Sequence, residues 1–535
     1  MRIALLHGWR LSGSGSNEYN RYLARSLAAA GHEVHVLCRE PDPERVEFVD
    51  RAFAWNTAGE SRLLFERSGG NYVLHQLPHG DVRPVYVTDK LPGGVVKPYI
   101  SMTDAELLEH RELYTRVVRA VLKKHPVDIV HANHVVLQPT IAADVCGPLG
   151  IPFVIYPHGS AIEYTVRRDD RYLRLAGEAI EKSAGLIIGS REVQGRLLEL
   201  FEESKEKIEA SRIVGVGVDT SLFEPVARSE RMQSIRKLAD LLPGGGKTPA
   251  LVRDLHEKLA GGELEAVNAY QTAYARTRPD EDCAEHLLRI PWDSGKILLF
   301  VGALTVGKGL HRVIAGLPGL FQRLEDTHFV VVGSGAYREA LEALVYAISA
   351  GNEDLLDKLV SRGYRLTETH LAGPWKSVES HLASTQNRRI LLSAGKGFTQ
   401  RVHFLGRLSH QYLRYLFPCA DAAVFPSIVA EAYPLVLMES LANGVLPAAS
   451  YFSGFAEGMD ALIPHLGEEM VDRMRLPTDP SSAVKGIADR LESILSEPAG
   501  EDLRSALRRI AVQCYDWSIC TEQMLRAYGG FGSKP

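Results

Sequence analysis

The chain has 535 residues, and a single hydrophobic core stops growing at roughly 250–300, so at least two domains are expected. Hydrophobic residues at 45% and charged residues at 24% exclude long disordered tracts, and a formal net charge of -5 gives no basic surplus for nucleic acid. The six cysteines, Cys38, Cys146, Cys283, Cys419, Cys514 and Cys520, form no CxxC pair and no zinc-finger spacing, so they read as reduced thiols of a cytoplasmic protein.

In chain order, residues 2–7 form a short apolar strand, and 8–16 a Gly/Ser-rich loop. Residues 17–30 have helical apolar spacing at Tyr19, Tyr22, Leu23 and Leu27 and end at Gly31, a good C-cap residue. A strand at 32–38 follows. Residues 53–101 are rich in Gly and Pro and carry no clear period. A helix at 104–124 then leads to strands at 128–132, 152–156, 186–189 and 212–214, alternating with helices at 170–183 and 192–200. This alternation implies parallel sheet with right-handed crossovers. Asp169 and Asp170 stand at a helix start, where N-capping explains them better than a metal does.

A second α/β series has strands at 297–301, 329–332, 402–405, 422–425 and 446–449, with helices at 310–324, 337–348, 410–417 and 434–442. The apolar run 297–306 is broken by Gly302 and is shorter than the about 18 residues of a membrane span. The start of the chain reads as a strand and lacks the h-region of a signal peptide. No transmembrane segment is expected, and peripheral membrane contact stays open. The fold class is therefore α/β with two doubly wound domains. Domain 1–215 is followed by a hinge at 216–225, a helical insertion at 226–294, a second domain at 295–348 and 401–510, a second insertion at 349–400, and a C-terminal helix at 511–535 returning to the first domain.

The strongest chemical signal is a pair of carboxylates, Glu431 and Glu439, eight positions apart after an apolar strand and Pro426-Ser427. One ends a loop and the other lies two turns into a helix, too far apart for one tight metal site. Pro434 suits the first helical turn, whose free N–H groups can hold an anion. The unit thus offers two carboxylates for sugar hydroxyls and a helix dipole for phosphate. Lys308, at another helix start, can neutralise a diphosphate.

Several segments in this order resemble the retaining glycosyltransferases of family 4. Glu431 to Glu439, followed by Ala442-Asn-Gly444, resembles their E-x7-E donor site. Gly13-Ser-Gly15 before the helix ending at Gly31 resembles their first loop, and Asp128-Ile-Val-His131-Ala-Asn-His134 and Pro157-His158-Gly159 resemble two further segments. Gly215 to Pro225 resembles the interdomain hinge, Val301-Gly302 through Lys308-Gly309 a phosphate loop, and Gly333-Ser-Gly335 and Phe404-Leu-Gly406-Arg407 complete the series. The resemblance implies the GT-B fold, two Rossmann-like domains facing across a cleft, interrupted here by the mostly helical insertions.

It also implies a nucleotide-diphosphate sugar as co-substrate, no further cofactor, no metal, and transfer to a hydroxyl with retention of configuration. By resemblance His158, Glu431 and Lys308 are catalytic. Gly13, Gly15, Gly302, Lys308, Gly333, Arg407, Glu431, Tyr433, Leu435, Val436 and Glu439 bind the donor. Arg10, His134, Arg167 and Arg168 are acceptor candidates, for a sugar, polyol, lipid-linked or phosphorylated acceptor. The sequence departs from the family at Ala303, where an arginine is usual. Glu18 in place of a third glycine argues against a dinucleotide fingerprint at Gly13-Ser-Gly15. A non-catalytic sugar-nucleotide-binding or scaffold subunit, and another GT-B enzyme such as a sugar phosphorylase, stay open as alternatives. The insertions are expected to return at the sheet end opposite the nucleotide and to offer a surface for a partner or oligomer contact.

Overall fold

The computed structural model describes all residues except 12, 68, 87–95, 368–370 and 533–535. Parts of the stretches 53–101, 349–400 and 511–535 therefore lie outside the described residues. Two compact units divide the chain: Met1–Val218 with Tyr515–Pro535, and Asp219–Cys514.

The first unit holds strands β1 (Arg2–Leu6), β2 (Glu33–Cys38), β3 (Arg51–Trp55), β4 (Ser61–Glu66), β5 (Tyr72–Gln76), β6 (Arg83–Val85), β7 (Val96–Pro98), β8 (Ile129–Asn133), β9 (Phe153–Tyr156), β10 (Gly185–Ile188) and β11 (Arg212–Ile213). Nine of them form one sheet in the order β11-β10-β9-β8-β1-β2-β5-β3-β4, parallel except for the β3–β4 hairpin, and β6 pairs with β7. Among its described residues the run without a clear period thus holds five strands. Three are buried on one or both faces only in part, so their apolar spacing does not show as alternation. By contrast β8 is buried along its whole length, as a strand covered by helices on both faces must be. The C-terminal helix Trp517–Gly532 packs on the helix Gly15–Ala29: the Trp517 ring stacks on Tyr22 at 6.2 Å, and Tyr528 bonds His131 Nδ1 at 2.7 Å.

The second unit holds β12 (Lys296–Val301), β13 (Thr327–Val332), β14 (Val402–Phe404), β15 (Ala422–Phe425), β16 (Leu446–Ser450) and β17 (Arg475–Leu476), all parallel, in the order β14-β13-β12-β15-β16-β17. Counted within the unit this is 3-2-1-4-5-6, the doubly wound order whose reversal falls between β12 and β15.

The stretch 349–400, irregular in sequence, contains the helices Glu353–Arg362, Lys376–Leu382 and Thr385–Leu392. Stretch 226–294 contains Arg231–Leu241, Pro249–Ala260 and Cys283–Arg289. The two do not form a subdomain of their own. Both pack on the helix Arg338–Ala350, which buries eleven of its thirteen residues. Of the insertion leucines, Leu255, Leu259, Leu287, Leu355, Leu359 and Leu382 are buried, whereas Leu288 stays half-exposed. A buried ionic network fastens the first insertion. Lys247 bonds Glu339 at 3.2 Å and also Glu342, while Arg338 bonds Asp280 at 2.8 Å and Glu342 at 2.9 Å. Burial by itself raises Glu342, but Lys247 and Arg338 outweigh it and hold the carboxyl below its ordinary range.

The first insertion returns where expected, and its course adds one contact that was not expected. It does come back to the start of β12, where Arg228 bonds the carbonyls of Asp293, Ser294 and Gly295. On the way it also crosses the carboxyl end of β14. Pro279 bridges Gly406, Asp280 N–H bonds Leu405 O at 3.0 Å, and Arg407 N–H bonds Arg278 O at 3.2 Å. Because the network above pins Asp280, this edge segment is fixed rather than draped.

Candidate functional site

Open parallel sheets bind ligands beyond the carboxyl ends of their strands, where the strand order reverses. In the second unit that point lies between β12 and β15. After β12 the chain passes Gly302 and Ala303 into a single 3-10 turn, Val306–Lys308, and Gly309 then opens the helix Leu310–Arg323. Gly309 has φ +69°, and a Cβ there would stand 2.0 Å from Pro426 O, so the turn is pressed against the end of β15. This closeness brings Lys308 Nζ to 2.6 Å from Glu431 Oε1, across 123 positions of sequence. Ser427 Oγ donates to the same oxygen at 2.9 Å, and Ser453 Oγ accepts from Glu431 N–H at 2.9 Å. Both side chains of the ion pair are partly exposed, at 30% and 20%.

Pro434 is the N-cap of the helix Leu435–Ala442 rather than its first residue. The half-buried Tyr433, Leu435 and Val436 stand around that helix start, one turn from Glu431. Glu439 lies deeper, 5% exposed, with His410 Nε2 at 3.1 Å from its Oε1. Three backbones abut at the neighbouring strand ends: Gly302 N–H bonds Val332 O, Gly333 N–H bonds Gly406 O at 2.8 Å, and a Cβ on Gly333 would meet Gly302 O at 1.8 Å. Arg407 follows directly, half-buried. Of the sequence candidates, Gly302, Lys308, Gly333, Arg407, Glu431, Tyr433, Leu435, Val436 and Glu439 thus all stand at the carboxyl ends of β12 to β15. Ser427, Ser453 and His410 were missed. A lone serine or histidine carries no periodic signal, and only the folded turns bring them to the two glutamates.

In the first unit the reversal lies between β1 and β8. Gly13, with φ +106°, and Gly15 belong to the loop after β1 and the helix start that follows it. His134, just past β8, is a non-glycine residue at φ +67°, a strained conformation of the kind that collects at functional sites. It is buried and packs against His158 at 4.8 Å, Tyr86 at 4.3 Å and His7 at 5.9 Å. His158 Nε2 bonds Asn133 Oδ1 at 3.0 Å, Asn133 Nδ2 donates to Asn20 Oδ1 at 2.6 Å, and Asn20 Nδ2 donates to His7 Nδ1 at 3.2 Å. The chain fixes the tautomers: His158 carries its proton on Nε2 and keeps Nδ1 as an acceptor. Burial, then the nearby His7 and His131, hold His158 well below its ordinary range, so the ring is neutral.

The acceptor candidates separate. Arg10 lies in the loop after β1. Arg167, by contrast, pairs with Glu163 at 3.3 Å and Glu199 at 2.7 Å, and Arg168 Nε donates to Glu163 O at 3.0 Å. Asp169 is the N-cap of the helix Asp170–Lys182, accepting from Arg171 N–H at 3.0 Å.

One group among the described residues has metal-ligand composition: His35, His75 and His125, with ligand atoms within 4.8 Å of one another. Its hydrogen bonds occupy it otherwise. Trp55 Nε1 donates to His75 Nδ1 at 3.1 Å, so His75 carries its proton on Nε2 and donates to His35 Nδ1 at 3.0 Å. His35 Nε2 in turn faces Glu33 at 3.2 Å. A metal on His75 Nε2 would need the proton moved to Nδ1, opposite the indole donor.

Two doubly wound parallel units, the second with a lysine–glutamate pair at its switch point, define the GT-B fold. Residues 13–222 match Glycosyltransferase Family 4, and residues 371–511 match Glycosyl transferases group 1. Lys308, Gly302 and Gly333 fall between the matched ranges, and Arg10 falls before them. The chain is 28% identical over 236 residues to a phosphatidyl-myo-inositol mannosyltransferase of Mycobacterium leprae, covering 44% of this chain and 46% of that one. In sequence it spans less than half the length of the relatives it matches. In structure it is similar to sucrose-phosphate synthase from Thermosynechococcus elongatus, with a TM-score of 0.55 and 18% identity over 99% of this chain and 98% of that one. It is also similar to Anabaena HepE in complex with UDP and glucose, with a TM-score of 0.53 and 14% identity over 99% of both. No helix among the described residues is long and apolar enough to cross a membrane.

Proposed function

We propose that this chain transfers a glycosyl group from a nucleoside-diphosphate sugar to an acceptor hydroxyl, with retention of configuration and without a metal ion. The observation that carries the reading is the Lys308–Glu431 pair at the switch point of the second sheet, in a chain with two matched glycosyltransferase domains. An incoming diphosphate competes with Glu431 for Lys308. Lys308 then offsets the growing charge on the leaving group, and the Glu431 carboxylate is released toward the sugar hydroxyls. The amides at the start of the helix Leu435–Ala442 add positive potential at the same place. Glu439, held by His410, suits the ribose hydroxyls, and Arg407 the side of the base. His158, neutral with Nδ1 as acceptor, can receive a hydrogen bond from a sugar hydroxyl.

The test is a transfer assay with UDP-, GDP-, ADP- and TDP-sugars in excess EDTA, with products read by NMR. The product is expected to keep the donor's anomeric configuration, at an unchanged rate. Inversion, or a rate abolished by EDTA and restored by divalent ion, overturns the mechanism. Tight nucleotide binding without any transfer returns the reading to a sugar-nucleotide-binding subunit.

A further inference from the structure

Three residues other than glycine take a left-handed backbone among the described residues: His134, Leu137 and Ser453, at φ +67°, +66° and +50°. His134 belongs to the histidine group of the first unit, and Leu137, fully buried, precedes the helix Gln138–Leu149. Ser453 opens the helix Ser453–Asp460, just past the end of β16. A Cβ strains this conformation, whereas glycine adopts it freely. What serine adds is a hydroxyl, and both hydrogen bonds of that hydroxyl go to one residue. Ser453 Oγ accepts from Glu431 N–H at 2.9 Å and donates to Glu431 O at 3.3 Å. Backbone strain that persists beside a ligand-binding carboxylate points to a role there.

The next residue completes the grip. Gly454 N–H donates to the same Glu431 O at 2.9 Å, and a Cβ on Gly454 would stand 2.5 Å from that oxygen. Glu431 lies in the connection between β15 and the helix Leu435–Ala442, residues 426–434. That connection has a second tie, Ile428 N–H to Gly307 O at 2.8 Å. The main chain of Glu431 is thus held by residues that follow β16, while its carboxylate is held by Lys308 and Ser427. The two holds differ in kind. An incoming diphosphate competes for Lys308, so the hold on the carboxylate is exchangeable. The hold on the main chain uses neutral groups and contains no cation for an anion to take.

We propose that Ser453 is a positioning residue for the donor sugar. Its hydroxyl pins the main chain of Glu431, so that the carboxylate swings from Lys308 to the sugar hydroxyls about a fixed backbone. The proposal rests on the reading that Glu431 meets the donor sugar. Without the hydroxyl, Glu431 N–H loses its acceptor and the carboxylate spreads over more positions. That weakens its charge-assisted bond to the sugar and leaves the nucleotide contacts of Glu439 and Lys308 in place. Ser453 acts only through Glu431.

The experiment compares Ser453→Gly and Ser453→Ala with the wild type and Glu431→Gln. Calorimetry measures binding of UDP, GDP, ADP and TDP, diphosphate release measures consumption of their glucose conjugates, and hydrogen exchange reads the Glu431 amide. Glycine relieves the backbone and alanine does not, so Ser453→Gly is expected to melt higher than Ser453→Ala. Despite that difference, both are expected to bind the diphosphate as the wild type does. Both are expected to lose about tenfold in kcat/KM for the nucleotide-sugar, with a faster-exchanging Glu431 amide. A loss that follows melting temperature, present in Ser453→Ala and absent in Ser453→Gly, makes Ser453 merely structural and overturns the proposal. Diphosphate affinity falling as far as kcat/KM also overturns it, and so does wild-type kcat/KM in both serine variants while Glu431→Gln is impaired. A wild type that consumes no nucleotide-sugar removes the transferase reading instead. The Glu431 amide then decides on the pin alone: faster exchange in both serine variants keeps it, and unchanged exchange removes it.

Discussion

Lys308 and Glu431 show how a site is assembled from residues that are silent alone. Each sits at the end of a parallel strand, and the strands are neighbours, so the sheet rather than the local sequence makes the contact. Gly309 holds that contact close, because only a residue without Cβ fits against Pro426 O at positive φ. Gly309→Ala is therefore expected to destabilise the protein by about 1–3 kcal/mol and to weaken nucleotide binding together with stability. Urea denaturation and nucleotide titration of the same variant check this, and full retention of both removes the glycine from the site. The two glutamates and Lys308 were legible in sequence because strand, turn and helix start occur in a fixed order around them. His410, Ser427 and Ser453 were not, since their roles come from contacts across 4 to more than 20 positions.

At the scale of elements, strands buried on both faces were readable as apolar runs, and the helix caps at Gly31 and Asp169 as punctuation. The strands β3, β4 and β6 were not, because these part-exposed strands mix apolar and charged residues. The course of the first insertion was also illegible. Its path is set by a buried ionic network, and charges in a polar stretch read as surface until their partners on another helix are known. Lys247 is fully buried between Glu339 and Glu342. Lys247→Met leaves Glu339 without its cation and Glu342 with Arg338 alone, and is expected to cost about 3–5 kcal/mol. The same change should loosen the Arg278–Glu281 edge from Gly406. Hydrogen exchange at Asp280 and Arg407 amides reads this directly: unchanged protection there would mean that the network does not anchor the insertion.

At the scale of the molecule, the α/β class followed from alternating strands and helices, and the order of the second sheet explains why its candidates gather at one edge. The central claim is that the carboxyl end of this sheet, between β12 and β15, holds a nucleoside-diphosphate sugar. Calorimetric titration of the wild type, Lys308→Ala and Glu439→Ala with the preferred donor tests it most directly. The account predicts that each substitution weakens binding about 10–100-fold at an unchanged melting temperature. Wild-type affinity in both variants would contradict it.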